Sequence, residues 1–268
     1  MDTADSAPLA PPLALCLGGF DPSGGAGLLR DVMTLSALGV QPMAVATCTT
    51  VQNGAGCQEI LAADPLPALR ALGPHLGGRW GVKLGLCPLT GPGLEALIAQ
   101  IEAFGPALRI WDPIQAPSCG VGLHDPDSLR SMARGLLPSG GWVVCPNRPE
   151  AAALSGCPSQ APAAELAAPL LELGAQAVWL KGGHDPEDRV EDFWITAQGV
   201  RSLGRSPRLA GEVRGTGCTL GSAWLALALQ GQAPVEAAIA AARFLRSQWP
   251  RAQAPGGFGR PSFAPVAR

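Results

Sequence analysis

Leu13-Ala-Leu-Cys-Leu-Gly18 runs into Gly19-Phe-Asp-Pro-Ser-Gly-Gly-Ala-Gly27, and a helix-length segment follows to Leu38. A short apolar run, a glycine-rich turn and a helix in immediate succession make a strand-to-helix unit of a parallel sheet. The rhythm recurs down the chain. Apolar runs at 42–48 (PMAVATC), 80–85 (WGVKLG), 107–112 (ALRIWD), 141–146 (GWVVCP) and 176–182 (QAVWLKG) read as further strands. Between them, 26–38, 64–76, 91–104, 126–137 and 160–174 read as helices, several opened by Asp-Pro or Gly-Pro, as first helical turns often are. Runs that are apolar throughout imply a sheet covered on both faces, so the expected class is α/β with a mostly parallel central sheet. The stretch 190–213 differs: EDFWIT, a Gln-Gly turn and VRSLG read as an antiparallel hairpin added late to that sheet.

The 268 residues suffice for one large core, and 13–249 is expected to be a single domain. The Pro-rich segment 1–12 and the Pro-, Gly- and Arg-rich segment 250–268 read as loosely held tails. Hydrophobic residues make up 47% and charged residues 15%, which argues against a disordered chain. A formal charge of -2 with no Lys/Arg run excludes a nucleic-acid partner from the expectation. No apolar run nears the 18 residues or so of a membrane span, and the acidic opening is unlike a secretory leader. The eight cysteines are scattered without a C-x-x-C pair, which points to reduced thiols and a cytoplasmic setting. His75, His124 and His184 are too far apart in sequence to suggest a zinc cluster.

In open parallel sheets ligands collect beyond the carboxyl ends of strands. Those positions here are polar and glycine-rich: Gly18 to Gly27, Thr49 to Gly54, Asp112-Pro113, Pro146 to Glu150, Lys181 to His184, and Gly215-Thr216-Gly217-Cys218. The last group opens an apolar stretch, Thr219 to Leu229, that reads as a buried helix. A helix start leaves N–H donors unpaired and carries partial positive charge, and glycines admit a ligand closely, so a transferring phosphoryl group suits it. Asn147 and Glu150 form an N-x-x-E pattern whose oxygens suit Mg²⁺; Glu150 also reads as an ordinary first-turn helix acid.

In this order, the segments from about 14 to 247 resemble the hydroxymethylpyrimidine and phosphomethylpyrimidine kinases of thiamine biosynthesis, a branch of the ribokinase-like superfamily. The resemblance is carried by Gly18 to Gly27, by Ser36-Ala-Leu-Gly-Val40 and by Gly215-Thr-Gly-Cys-Thr-Leu220. It implies a three-layer α/β/α sandwich, ATP and Mg²⁺, a small pyrimidine substrate, and a homodimer. Gly19, Asp21, Gln52 and Leu86 would line the pyrimidine pocket, with Lys83 in the same segment as Leu86. Asp112, Asn147, Glu150 and Lys181 would serve the nucleotide and its Mg²⁺. Gly215, Thr216 and Gly217 would hold the developing charge, and Cys218 would occupy the place of the base, with some thiolate near neutrality because a helix start lowers a thiol pKa. Asp21 has a second reading as a helix cap, and Asp192 reads equally as a nucleotide neighbour or a solvated hairpin acid.

Two departures accompany the resemblance. Arg214 stands where relatives generally have His, and reads either as a compensating charge facing inward or as a solvated residue. Ile114-Gln115 and Ser118-Cys119-Gly120 replace a segment that carries a lysine. The alternatives are a pyridoxal kinase, a pyrimidine-binding sensor without turnover, and a dinucleotide-binding oxidoreductase, for which an ordered G-x-G-x-x-G is missing.

Overall fold

The computed structural model describes residues 10–115, 125–183 and 188–264. The first units are β1 (Leu13–Phe20), α1 (Gly27–Ala37), β2 (Gln41–Gln52), β3 (Cys57–Ala62), α2 (Leu66–Leu72), β4 (Trp80–Leu84) and α3 (Gly91–Phe104). Then come β5 (Leu108–Trp111), α4 (Pro126–Leu136), β6 (Trp142–Val144), α5 (Arg148–Ser155), α6 (Ala163–Glu172) and β7 (Ala177–Leu180). The chain closes with β8 (Arg189–Thr196), β9 (Gly199–Pro207), α7 (Thr216–Leu229), α8 (Pro234–Gln248) and a small pair, β10 (Ala252–Gln253) with β11 (Ser262–Phe263).

The main sheet runs β3-β2-β1-β4-β5-β6-β7-β8-β9. From β2 to β7 neighbours are parallel, and β3 at one edge and β8–β9 at the other are antiparallel. The late hairpin is therefore present. The strand β3 was not read from the sequence: Cys57-Gln-Glu-Ile-Leu-Ala62 is largely exposed at the sheet edge and lacks the continuous apolar character of the inner strands.

Strand side chains alternate between two buried layers. Leu15, Leu17, Val82, Leu84, Trp111, Val144 and Val178 pack under α2 to α6, whereas Ala14, Cys16, Ile110, Val143, Ala177 and Trp179 pack under α1, α7 and α8. This is a three-layer α/β/α sandwich. Helix α5 begins at a capping box, in which Glu150 N–H donates to Asn147 Oδ1 (2.9 Å) and Asn147 N–H donates to Glu150 Oε2 (2.7 Å).

Helix α7 is buried from Cys218 to Leu229, as a helix apolar on every side must be. Small residues seat it closely on the sheet. A Cβ added at Gly81 of β4 would lie 2.6 Å from Leu225 Cδ1, and one at Gly221 would lie 2.9 Å from Lys83 Cε. From 249 to 264 the chain is tied down rather than loose. Arg214 N–H donates to Pro261 O (2.9 Å), Arg260 N–H to Gly54 O (2.8 Å), and Phe263 is 3% exposed. Composition misleads there because Pro and Gly suit a tight surface path as well as a free tail.

Substituting Gly81→Ala will push Leu225 off its rotamer and lower stability by about 1–3 kcal/mol. A denaturant midpoint unchanged from that of the wild type would show that α7 has slack against β4.

Candidate active site

Strands β1, β4, β5, β6 and β7 deliver their carboxyl ends to one edge of the sheet. There the chain continues as Asp21, Gly85, Asp112, Asn147 and Lys181. Asn147 and Lys181 extend the ladder as an isolated parallel bridge, and Asp112 N–H donates to Leu84 O (2.9 Å). Helix α7 begins over the same edge.

The turn before α7 is fixed by backbone conformation. Gly215 has φ +76, and a Cβ there would lie 2.3 Å from Gly25 O and 3.3 Å from Arg30 Cγ, so only glycine fits. At Gly217 a Cβ would lie 3.2 Å from Asp112 Oδ2 and 3.5 Å from Lys181 Nζ. Thr219 N–H and Oγ1–H both donate to Gly215 O (each 2.9 Å), while first-turn N–H groups have no helical acceptor. The result is a cluster of N–H donors flanked by charged side chains, an arrangement that accepts an anion.

On one flank lie Asp112, Lys181, Glu150 and Asn147. Lys181 Nζ donates to Asp112 Oδ1 at 2.8 Å and stands 3.9 Å from Glu150 Oε2. Burial opposes the charge on Lys181, but Asp112 beside it holds the ammonium above its ordinary range. Burial pushes the Glu150 carboxyl up to about 7, against the pull of Lys181. The dual reading of Glu150 is met on the cap side by the bonds described above. The donor set consists of hard oxygens, yet no group of three or more His, Cys, Asp or Glu forms a cage among the described residues. These residues therefore fit Mg²⁺ as outer partners of a phosphate-bound ion that keeps its waters, not as a dedicated cage.

On the other flank lie Asp21 and Arg214, both buried. Asp21 Oδ1 accepts from Ser23 N–H (2.9 Å) and Ser23 Oγ–H (2.7 Å), and Oδ2 accepts from Ala26 N–H and Arg214 Nη2 (each 2.9 Å). Four donors fill the carboxylate's four acceptor sites. Asp21 thus braces the turn ahead of α1, whose N-cap residue Ala26 has no side-chain cap bond, and Arg214 faces inward as its ion-pair partner, also donating to Ser23 Oγ (3.0 Å).

Gly19 and Leu86 are brought together: a Cβ at Gly19 would lie 3.0 Å from Leu86 Cδ2 and 3.2 Å from Cys48 Sγ. Gln52, half-buried, ends the neighbouring strand β2. Its hairpin is joined to the α7 side through two adjacent late residues, Arg260, whose N–H donates to Gly54 O, and Pro261, whose carbonyl accepts from Arg214 N–H. The pyrimidine-side and phosphate-side candidates therefore share one edge of the molecule.

Below the turn, Lys83 Nζ donates to Asp31 Oδ1 at 2.7 Å, and Ser222 Oγ–H donates to the same oxygen at 2.8 Å. Sequence reasoning did not single out Asp31 or Ser222. The signal was the lysine itself, a charge inside the otherwise apolar run WGVKL, which demands a buried counterion. The Gly27 backbone N–H and Lys83 favour a thiolate at Cys218, but burial outweighs them and pushes its thiol up to about 12. This corrects the expectation of thiolate near neutrality: at this helix start desolvation outweighs the dipole. Asp192 is a structural neighbour of the site, accepting from Gly182 N–H (2.9 Å) and Trp179 Nε1 (3.1 Å). His124, His184 and Ser118 to Gly120 lie outside the described residues.

A family model described as phosphomethylpyrimidine kinase matches residues 21–259. A hydroxymethylpyrimidine/phosphomethylpyrimidine kinase of Streptomyces coelicolor is 34% identical over 254 residues, covering 90% of this chain and 89% of its own. The protein of the same name from Escherichia coli is 31% identical over 219 residues, covering 80% and 82%. Among solved structures, the pyridoxal kinase from Staphylococcus aureus in complex with AMP-PCP and pyridoxal is similar with a TM-score of 0.80 at 25% identity, covering 94% of this chain and 93% of its own. A phosphomethylpyrimidine kinase from Clostridium difficile shares the fold with a TM-score of 0.72 at 24% identity, covering 88% and 98%. No helix among the described residues is long and apolar enough to cross a membrane.

The raised Glu150 pKa has a signed consequence. With a folded value of about 7 above the ordinary 4.5, the folded state binds the proton more tightly. The group's contribution is fully present below the ordinary value and is lost as pH rises through the folded one. Between pH 5 and 8, wild-type protein without nucleotide should lose thermal stability relative to Glu150→Gln. A constant difference between the two melting curves across that range would contradict the assignment.

Proposed function

The chain belongs to the phosphomethylpyrimidine kinase family, and on that premise we propose that it transfers the γ-phosphoryl of ATP to a hydroxymethylpyrimidine, to its monophosphate, or to both in succession. The observation that carries this reading is the position of Gly215 to Gly217. They lie between the Asp112–Lys181 pair and the Asp21–Arg214 pair, with Gly217 against the former and Gly215 against the loop held by the latter. An anion at the turn meets N–H groups whose orientation is set before it arrives, and such preorganisation is a large part of catalysis.

In the proposed reaction the bond from the γ-phosphorus to the bridging oxygen of ADP breaks and a bond to the substrate oxygen forms in line. The substrate proton passes to a phosphoryl oxygen or to water. Gly215, Thr216 and Gly217 hold the charge on the transferring group. Asp112 and Lys181 fix the approach of the nucleotide phosphates. When Mg²⁺ is bound it offsets the charge of the phosphate chain, and Glu150 and Asn147 would hold it through phosphate oxygens and water. Cys218, a neutral thiol near pH 7, orients the attacking hydroxyl instead of removing its proton in advance, which a loose transition state tolerates. Gly19 and Leu86 form the apolar floor under the ring, and Gln52 reads its amino edge. Asp21 acts by holding the turn that follows the strand carrying Gly19. The reading takes the enzyme as cytoplasmic and homodimeric; Val51 and Leu61, 40% and 49% exposed on the outer β2–β3 ladder, are apolar surface available to a second copy.

A pyridoxal kinase activity is the second reading, supported by the fold similarity to the Staphylococcus aureus enzyme. One ADP-release assay with hydroxymethylpyrimidine, its monophosphate and pyridoxal separates them. The two pyrimidines should turn over with the larger kcat/KM; turnover of pyridoxal alone would replace the first reading with the second, and turnover of none would favour a sensor. Cys218→Ala should lower kcat by about 100-fold through misorientation of the hydroxyl and leave pyrimidine affinity within a few-fold. Full turnover by that variant would remove Cys218 from the mechanism.

A further inference from the structure

Among the described residues four buried cations lie around the α7 turn, Lys181 being matched by Asp112, and their counterions are unequal. Arg214 is matched by Asp21 and Lys83 by Asp31. Arg30, only 4% exposed on α1, has no carboxylate within ion-pairing distance among the described residues. Its Nη2 donates to two backbone carbonyls, Gly24 O (3.0 Å) and Phe263 O (2.6 Å), and its guanidinium carbon stands 5.9 Å from the centre of the Phe263 ring. Its Nε is buried without an acceptor.

A buried charge that lacks a counterion is costly, and one lone carbonyl set and an aromatic face offset only part of that. Burial lowers the proton affinity of Arg30, yet a guanidinium remains charged at any ordinary pH. The cost falls at an informative place. The Arg30 stem packs directly on the turn, with Cγ 3.3 Å from where a Gly215 side chain would begin, and Gly215 has no side chain to screen it. The influence of Arg30 on an anion at the turn is through space, in surroundings of low dielectric where one charge acts strongly on another.

We propose that Arg30 is an electrostatic positioning residue of this site, whose unmatched charge is completed by the anion held at Gly215 to Gly217. Taking that anion as the transferring phosphoryl group rests on the kinase reading above; the electrostatic coupling itself does not. In the empty site the excess positive charge raises the free energy of the protein, and an arriving anion lowers it. Arg30 thus makes part of the binding energy available only to ligands that carry negative charge at this point. A neutral ligand gains nothing from it.

The test uses inorganic tripolyphosphate without metal as the anionic probe and adenosine as the neutral control, with binding measured by calorimetry and by the shift in melting temperature. Arg30→Met removes the charge at similar volume, and Arg30→Lys restores it. Tripolyphosphate should bind Arg30→Met about tenfold more weakly than wild type, Arg30→Lys should recover to within about threefold, and adenosine should bind all three alike. Equal binding of tripolyphosphate to wild type and Arg30→Met would overturn the proposal, as would failure of Arg30→Lys to recover or an equal loss of adenosine affinity in Arg30→Met. Absence of tripolyphosphate binding to the wild type would overturn it as well. If Arg30→Met does not fold, Arg30→Gln takes its place under the same criteria, since it keeps a donor for Phe263 O. Loss of the kinase reading in the ADP-release assay, with tripolyphosphate binding still dependent on Arg30, would leave this coupling standing and change only the identity of the anion.

Discussion

The close seating of α7 against the sheet is the constraint on which the candidate site depends. A helix apolar on all sides has to lie inside the protein, and its first turn then brings unpaired N–H groups into a place with little water. Gly81 and Gly221 remove the side chains that would hold α7 away from β4 and Lys83. Because α7 crosses β1, β4 and β5, its start is delivered to the carboxyl ends of those strands. The anion-accepting turn is therefore a product of core packing, and its position is as rigid as the core itself.

Around that turn the buried cations other than Arg30 are held in pairs whose partners come from distant parts of the chain. Asp112 with Lys181 and Asp21 with Arg214 stand on opposite flanks, and Asp31 with Lys83 lies beneath. Each carboxylate restrains a cation that could otherwise swing toward any passing anion. The fixed donors at the centre are backbone N–H groups, which cannot titrate or reorient. Cys218 fits this pattern as a thiol that burial keeps neutral. The site is accordingly built for charge stabilisation, with proton transfer a secondary matter.

Much of this was legible in the chain. The inner strands announce themselves as continuous apolar runs because both faces of each are covered, and the glycine-rich turns stand out because close backbone approach admits few other residues. The edge strand β3 did not, since a half-exposed strand with Gln58 and Glu59 carries no such run. Asp21 shows a different limit. Its place in the motif was evident, but whether its oxygens serve a substrate or the protein depends on Arg214, 193 residues later, and no local pattern carries that information. The Cys218 pKa failed for a similar reason: the helix start is a local feature, whereas the desolvation that overrides it comes from the whole surrounding core. Lys83 is the converse, a residue whose burial could be inferred but whose partner on α1 could not.

The segment from Phe258 to Phe263 draws together residues that are far apart in synthesis. Arg30 reaches Phe263 across 233 positions, and Gly54 and Arg214 are both bonded to the same late stretch. During translation the sheet and α1 can assemble well before that stretch leaves the ribosome, but the walls of the site cannot close around it. A chain truncated shortly after α8 would retain nearly all of its core while leaving Arg30 and the β2–β3 hairpin without their tether. Competence to bind in this sense comes later than the acquisition of the fold.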